Sequence, residues 1–148
     1  MIASILALLL TIASPKCREC QEKQDDRTLL IFMSFSLPLE SWKEYSAIAE
    51  RAGGTLVLQG IPDNSFLAFS DKMEELRKNG VRAAIDIDPP LFKKYGVEAV
   101  PVIVVQDGQE SDRIAGHTQV EPFLIECAAS GDVQKISQMK LQQLKGPQ

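Results

Sequence analysis

Hydrophobic residues along the chain follow two patterns in turn, one typical of buried strands and the other of helices. Residues 28–36 (TLLIFMSFS) are almost continuously apolar, which predicts a strand buried on both faces. From residue 37 to 52 apolar side chains recur every three or four positions, which predicts a helix that Gly53 and Gly54 end. The same patterns predict strands at 55–61, 81–87, 100–106 and 110–114, and helices beginning at 66, 89 and 120, with a more polar helix after 132.

The order of these elements predicts an α/β fold with a mixed central sheet and helices on both faces. Strand–helix–strand crossovers predict parallel pairing. Asp107 and Gly108 are a hairpin signal, so the strand after them is predicted to run antiparallel at the sheet edge.

Short-range signals predict where helices begin and which faces they bury. Thr118 and Glu121 have the spacing of a capping box, and Asp88 is placed to cap the helix that Pro89 opens. The buried face of the second helix is predicted to consist of Phe66, Phe69, Met73 and Leu76, and that of the helix from 120 of Val120, Phe123, Leu124, Cys127 and Ala128.

The N-terminus has the pattern of an export signal. Residues 1–13 (MIASILALLLTIA) carry no charge, and their apolar run is shorter than the about 20 residues that cross a bilayer. Residues 1–15 are therefore predicted to be a signal peptide, with a buried strand or helix as the alternative. We then expect a polar lead-in at 16–27, one domain at 28–130, a C-terminal helix and tail at 131–148, and no transmembrane segment in the mature protein.

Composition narrows the class of function. The chain has 148 residues, of which 45% are hydrophobic, so it is long enough for one domain. Its formal net charge of −4 argues against direct nucleic-acid binding, which needs a basic surface. Three cysteines are too few for a disulfide-rich scaffold.

The segment IDIDPPLFKKYGVEAVPVIVVQDGQE (85–110) resembles the C-terminal half of the thioredoxin superfamily. The resemblance implies a thioredoxin-like fold in which Pro101, after Val100, is cis and lies beside the active site. The family places Cys-x-x-Cys where the first buried strand meets its helix. Here that junction reads Ser36-Leu37-Pro38-Leu39, without a thiol, so the resemblance implies the fold and a peptide-binding groove but no thiol–disulfide exchange.

Four further segments resemble the TrbC family of F-type conjugative transfer systems, a branch of type IV secretion. These segments are FMSFSLPLESWKEY (32–45), GTLVLQGIPDNSF (54–66), IDPPLFKKYGVEAVPVIVV (87–105) and AASGDV (128–133). The resemblance implies a periplasmic pilus-assembly protein without cofactor or catalytic residues. It also implies partners among other envelope proteins of the transfer apparatus, such as TraW-like proteins.

The cysteines leave several interpretations open. Cys17 and Cys20 have redox spacing but lie in a polar stretch without a preceding strand, so they form a redox pair, a local disulfide or two free thiols. Cys127 is predicted to be a small buried residue, with a disulfide to Cys17 or Cys20 as the alternative. A zinc site that adds His117 to the three cysteines has the wrong spacing, so no metal is predicted.

Other polar and aromatic residues have simple structural interpretations. His117 is predicted to lie in a surface loop. Asp86 and Asp88 share one strand face and could bind a cation, although a capping role for Asp88 is simpler. Trp42 and Tyr45 are predicted to belong to the core, or to a surface facing a partner if they border the groove at Pro101.

The leading interpretation is a non-enzymatic envelope protein of pilus assembly. Its binding surface would combine the helix start at Ser36, Leu37, Pro38 and Leu39 with the Val100–Pro101 loop. The alternatives are a periplasmic thiol–disulfide oxidoreductase that uses Cys17 and Cys20, and a general periplasmic peptide-binding chaperone.

Overall fold

The computed structural model describes residues 26–146. Within this range strands and helices alternate in the order β1 (Leu29–Met33), α1 (Leu39–Ala52), β2 (Thr55–Leu58), α2 (Phe66–Lys78), β3 (Ala84–Ile87), α3 (Pro89–Lys94), β4 (Val102–Asp107), β5 (Glu110–Ala115), α4 (Val120–Ser130) and α5 (Gln134–Lys145). A 3-10 turn, Pro62–Asn64, connects β2 to α2. The predicted signal peptide and the pair Cys17 and Cys20 lie outside the described residues.

The strands form one mixed sheet in the order β3-β2-β1-β4-β5. β1, β2 and β3 pair in parallel, and the hairpin at Asp107 and Gly108 makes β5 antiparallel to β4, as predicted. β4, however, runs antiparallel to β1, so the prediction that every strand–helix–strand crossover is parallel is wrong for β3-α3-β4.

The short α3 explains this reversal. A helix of six residues rises only about 9 Å, so it does not carry the chain back along the sheet. The connection after α3 lies at the end of the sheet where β1 and β2 finish, because residues 97–100 line a cavity there together with Met33 and Leu58. β4 therefore enters the sheet from the end at which β3 left it.

Buried side chains form one cluster on each face of the sheet. Along β1, Leu29, Ile31 and Met33 point into a first cluster, and Leu30 and Phe32 point into a second. The first cluster packs against α1, α2, α4 and α5, and the second against α3. The predicted mixed sheet with helices on both faces is thereby confirmed.

The helix ends partly follow the predicted signals. Gly53 adopts a left-handed conformation (φ 61°) and ends α1, and the Asp88 side chain accepts a hydrogen bond from the Leu91 N–H at 3.2 Å. The capping box is wrong: Gln119 is the N-cap of α4, and no side chain caps it. Because the helix begins only at Val120, Thr118 lies outside it, where its carbonyl accepts a hydrogen bond from the Tyr45 hydroxyl.

The predicted faces of α4 and α2 have different outcomes. On α4, Val120, Phe123, Leu124 and Cys127 are buried as predicted. On α2 only Leu76 is fully buried, and Phe66 is 75% exposed, so its assignment to the core is wrong. The apolar positions of α2 from Phe69 onward pack against the first cluster, whereas the first turn of the helix projects beyond it.

Candidate functional site

A cavity of about 650 Å³ lies at the carboxyl ends of β1 and β2. We call it the strand-end cavity. Its walls come from the β1–α1 turn, the β2–α2 connection, α3 and the loop before β4: Met33, Ser34, Phe35, Ser36, Leu58, Gln59, Gly60, Ile61, Pro62, Phe92, Val97, Glu98, Ala99 and Val100. Binding sites are common where parallel strands end, because several connections meet there.

The β1–α1 turn forms one wall and is fixed by local hydrogen bonds. The Ser34 hydroxyl accepts a hydrogen bond from the Ser36 N–H at 3.2 Å and from the Ser36 hydroxyl at 3.0 Å. The Leu37 N–H donates to the Ser34 carbonyl at 3.1 Å. Ser36 is thus held at the cavity by its own turn.

The four residues of the predicted junction divide between two places. Ser36 lines the strand-end cavity. Pro38 is the exposed N-cap of α1, and no side chain caps this helix start. Leu37 and Leu39 point instead toward α2, where they line a small recess with Trp42. The structure therefore brings only Ser36 to the cavity.

The loop before β4 supplies the opposite wall. Val100 lines the strand-end cavity, and its peptide bond to Pro101 is cis, as the resemblance implied. Pro101 itself is buried, and its carbonyl accepts a hydrogen bond from the Gly116 N–H at 2.9 Å. Ser36 and Val100, predicted from separate motifs, thus lie on the same cavity.

Sequence reasoning missed the wall contributed by the β2–α2 connection. Gln59, Gly60, Ile61 and Pro62 follow β2 directly. The available signal was the predicted parallel pairing of the first two strands, because the carboxyl ends of adjacent parallel strands lie at the same edge. Glu98 was also missed, although it directly precedes the Ala99–Val100 stretch.

The polar side chains of the cavity wall are those of Ser34, Ser36, Gln59 and Glu98. A serine nucleophile needs a base within hydrogen-bond reach. The Ser36 hydroxyl instead donates to another hydroxyl, that of Ser34. His117 lies elsewhere, 3.5 Å from the Tyr45 hydroxyl and 3.6 Å from Glu44.

The remaining candidate residues lie outside the cavity. Trp42 and Tyr45 are core residues, 2% and 0% exposed. Burial, reinforced by the negative charge of Glu44, raises the pKa of Tyr45. Asp86 and Asp88 both accept hydrogen bonds from the Arg27 guanidinium, at 2.6 and 2.8 Å. The positive charge between the two carboxylates is therefore that of the Arg27 side chain.

Across residues 26–146, no three acidic, histidine or cysteine side chains are grouped so that they could bind a metal ion. In the same part of the chain, no helix combines the length and apolar character needed to cross a membrane.

Comparison with known proteins gives consistent results. Residues 31–141 match the family described as "Type-F conjugative transfer system pilin assembly protein". The chain is also similar to the periplasmic protein TrbC of Escherichia coli (strain K12), with 32% identity over 123 residues. This match covers 81% of the chain and 58% of the relative, so the chain spans little more than half of the relative's length. No solved structure matches the chain. The chain belongs to the family of type-F conjugative transfer system pilin assembly proteins.

Proposed function

We propose that this protein acts in the periplasm as a non-enzymatic assembly protein of an F-type conjugative pilus, and that it binds other proteins at the strand-end cavity. The family match supports the process, and the name of the Escherichia coli relative supports the compartment. The predicted export signal at residues 1–15 agrees with that compartment.

We further propose that the fold is thioredoxin-like. The sheet order β3-β2-β1-β4-β5, with β4 antiparallel to β1, supports this assignment. So does the position of the β1–α1 turn, which faces the loop before β4 across the cavity. In a fold of this kind the cavity occupies the place of the thiol active site, and Ser36 stands where the first cysteine would be.

The observation that carries the proposal is the composition of the cavity wall. Apolar side chains from three connections, among them Phe35, Ile61 and Val100, surround a space of about 650 Å³. The exposed residues Gln59 and Gly60 lie beside them on the same wall, where we propose that their peptide groups are open to a partner. Apolar recesses next to free backbone groups suit an extended polypeptide segment, which forms main-chain hydrogen bonds and places alternate side chains in the recesses. We propose envelope proteins of the transfer apparatus, such as TraW-like proteins, as the source of that segment.

Gly60 allows a direct test of the cavity. A Cβ atom built there meets nothing within 4 Å, so Gly60→Trp adds a large side chain at the cavity wall without a clash at the backbone. When Gly60→Trp replaces the natural protein in a mating strain, we expect pilus number and transfer frequency to fall by about tenfold or more, because the variant binds its partner more weakly. Ala129→Trp, on the exposed surface of α4, is the matched control and should transfer like the natural protein.

Two outcomes would contradict the proposal. One is normal pilus formation and transfer by Gly60→Trp when the variant has the same unfolding temperature as the natural protein. The other is disulfide reductase activity of the purified protein that Cys17→Ser abolishes, because it would assign the function to the cysteine pair instead.

A further inference from the structure

A row of aromatic rings leads from the first cluster to the surface of α2. Phe35 stacks on Trp42 with ring centroids 5.6 Å apart. Phe69 contacts Phe35 at 6.1 Å, and Phe66 contacts Phe69 at 6.0 Å. Along this row exposure rises from 2% at Trp42 to 75% at Phe66. The row therefore connects the start of α1 to an open apolar surface.

That surface consists of two adjacent residues, Phe66 and Leu67, which are 75% and 74% exposed. The Ser65 hydroxyl accepts a hydrogen bond from the Ala68 N–H at 3.2 Å and caps α2, which fixes the first helical turn. Single exposed apolar residues are ordinary, but adjacent ones that continue a packed aromatic row are typical of an interaction surface.

The charges around this surface are negative. Asp63 precedes it in the connecting turn, and Asp71 lies four residues after Leu67, on the same helix face. The lysines of α2 are neutralised by their own helix, because Lys72 pairs with Glu75 at 2.8 Å and Lys78 with Glu74 at 2.6 Å. Among residues 26–146, Asp63 and Asp71 form no ion pair, so their charges are available to a partner.

We propose that Phe66 and Leu67 form a second docking surface, separate from the strand-end cavity, for an apolar segment of another polypeptide that carries Lys or Arg beside its apolar side chains. The carboxylates of Asp63 and Asp71 pair with those cations, and the Phe66 ring accepts them on its face. The same carboxylates oppose a symmetric contact with a second copy of this chain, which would bring like charges together, and oppose an anionic lipid surface.

The test uses purified protein and a labelled amphipathic peptide built of Leu, Phe and Lys, with binding followed by fluorescence anisotropy. We expect the double variant Phe66→Ser/Leu67→Ser to weaken binding by about tenfold or more. Asp63→Asn/Asp71→Asn should weaken it severalfold and reduce its salt dependence. The matched control Ile125→Ser/Met139→Ser removes two other exposed apolar side chains, 52% and 44% exposed, and should bind the peptide like the natural protein.

Four outcomes would overturn the proposal. The first is equal binding of a peptide in which Glu replaces every Lys. The second is unchanged binding by a folded Phe66→Ser/Leu67→Ser variant; if that variant unfolds, the single changes replace it. The third is concentration-dependent dimerisation of the natural protein that is lost in Phe66→Ser/Leu67→Ser. The fourth is binding of the natural protein to phosphatidylglycerol vesicles that is lost in the same variant. Phe66, Leu67, Asp63 and Asp71 do not line the strand-end cavity, so the two proposals can fail separately.

Discussion

Cys127 is the clearest case in which one residue's surroundings decide its chemistry. The thiol is 3% exposed, and it lies beside the Asp112 carboxylate, which also accepts a hydrogen bond from the Val133 N–H at 3.2 Å. Burial, reinforced by the charge and hydrogen bond of Asp112, raises the pKa of Cys127 from 9.0 to about 12. The thiolate is the reactive form, so we expect the burial and the raised pKa of Cys127 to slow its oxidation and alkylation in the folded protein.

We therefore expect slow reaction of Cys127 with a thiol reagent at pH 8 in the folded protein and fast reaction in urea. Replacing Cys17 and Cys20 by serine leaves Cys127 as the only thiol, and absorbance at 412 nm with Ellman's reagent follows it (about one thiol per chain). Asp112→Asn should lower the pKa of Cys127 without restoring its ordinary value, because burial is the larger cause. Equal rates for folded and unfolded protein would contradict this prediction.

The same pKa change has a consequence for stability. Between pH 9 and about 12 the unfolded chain loses the Cys127 proton while the folded chain keeps it. The unfolded state then binds fewer protons, so the contribution of Cys127 to stability is complete below pH 9 and is lost as pH rises through this range.

At the scale of elements, α1 and α5 cap each other's C-terminal ends. The buried Lys140 of α5 donates from its ammonium to the carbonyls of Ala52, at 2.8 Å, and Gly53, at 3.3 Å. Arg51 of α1 donates to the Leu144 carbonyl of α5 in return. Cations at a helix C-terminus satisfy carbonyls that have no partner within the helix and interact favourably with its dipole.

We expect Lys140→Met to lower the free energy of unfolding by about 1–3 kcal/mol, because the two carbonyls lose a buried donor. Lys135→Met, on the exposed face of the same helix, is the matched control and should change it by less than about 0.5 kcal/mol. Urea denaturation measures both values. Burial lowers the pKa of Lys140, so the unfolded state binds more protons at this lysine in the range just below pH 10.5. The contribution of Lys140 to stability therefore rises with pH there, and the difference in the free energy of unfolding between the natural protein and Lys140→Met should rise with it. Equal losses in the two variants would contradict the capping role.

The elements also show what the sequence could and could not reveal. The buried strand ending at Met33 and the helix ending at Gly53 follow from local patterns that burial and glycine chemistry dictate. The outward position of Phe66 and the burial of Lys140 do not follow from local patterns. Phenylalanine is usually buried and lysine usually exposed, so each position depends on what packs nearby. Such departures are expected where a surface serves binding or where a backbone group needs a donor.

For the whole molecule, the pairing of strands is the main feature that local sequence patterns do not predict. The hairpin at Asp107 and Gly108 predicted one antiparallel pair, but the place of β4 beside β1 depends on the path after α3, which no short-range signal encodes. The candidate site shows the same division. Ser36 and Val100 were predicted from motifs, whereas Gln59 and Gly60 became part of the site only through the parallel pairing of β1 and β2.

This architecture predicts uneven stability across the molecule. β1 has a paired strand on each side and a buried cluster on each face, so its amides are exposed only by global unfolding. α3 has six residues and packs on the smaller, second cluster through Leu91 and Phe92. Its loss would leave the first cluster and its helices intact, and a helix this short is not stable alone.

We therefore expect native-state hydrogen exchange to separate slowly exchanging amides in β1 from faster exchanging amides at the end of α3. The amides of Ile31 and Phe32 should exchange with the free energy of global unfolding. Those of Tyr95 and Val97, which donate to the carbonyls of Leu91 and Phe92, should exchange at least about tenfold faster through local opening of α3. Low urea should accelerate the β1 amides but leave the α3 amides nearly unchanged, since local opening exposes little surface. If all four amides responded to urea alike, α3 would belong to the same cooperative unit as β1, and the wall of the cavity that carries Phe92 would open only when the whole protein unfolds.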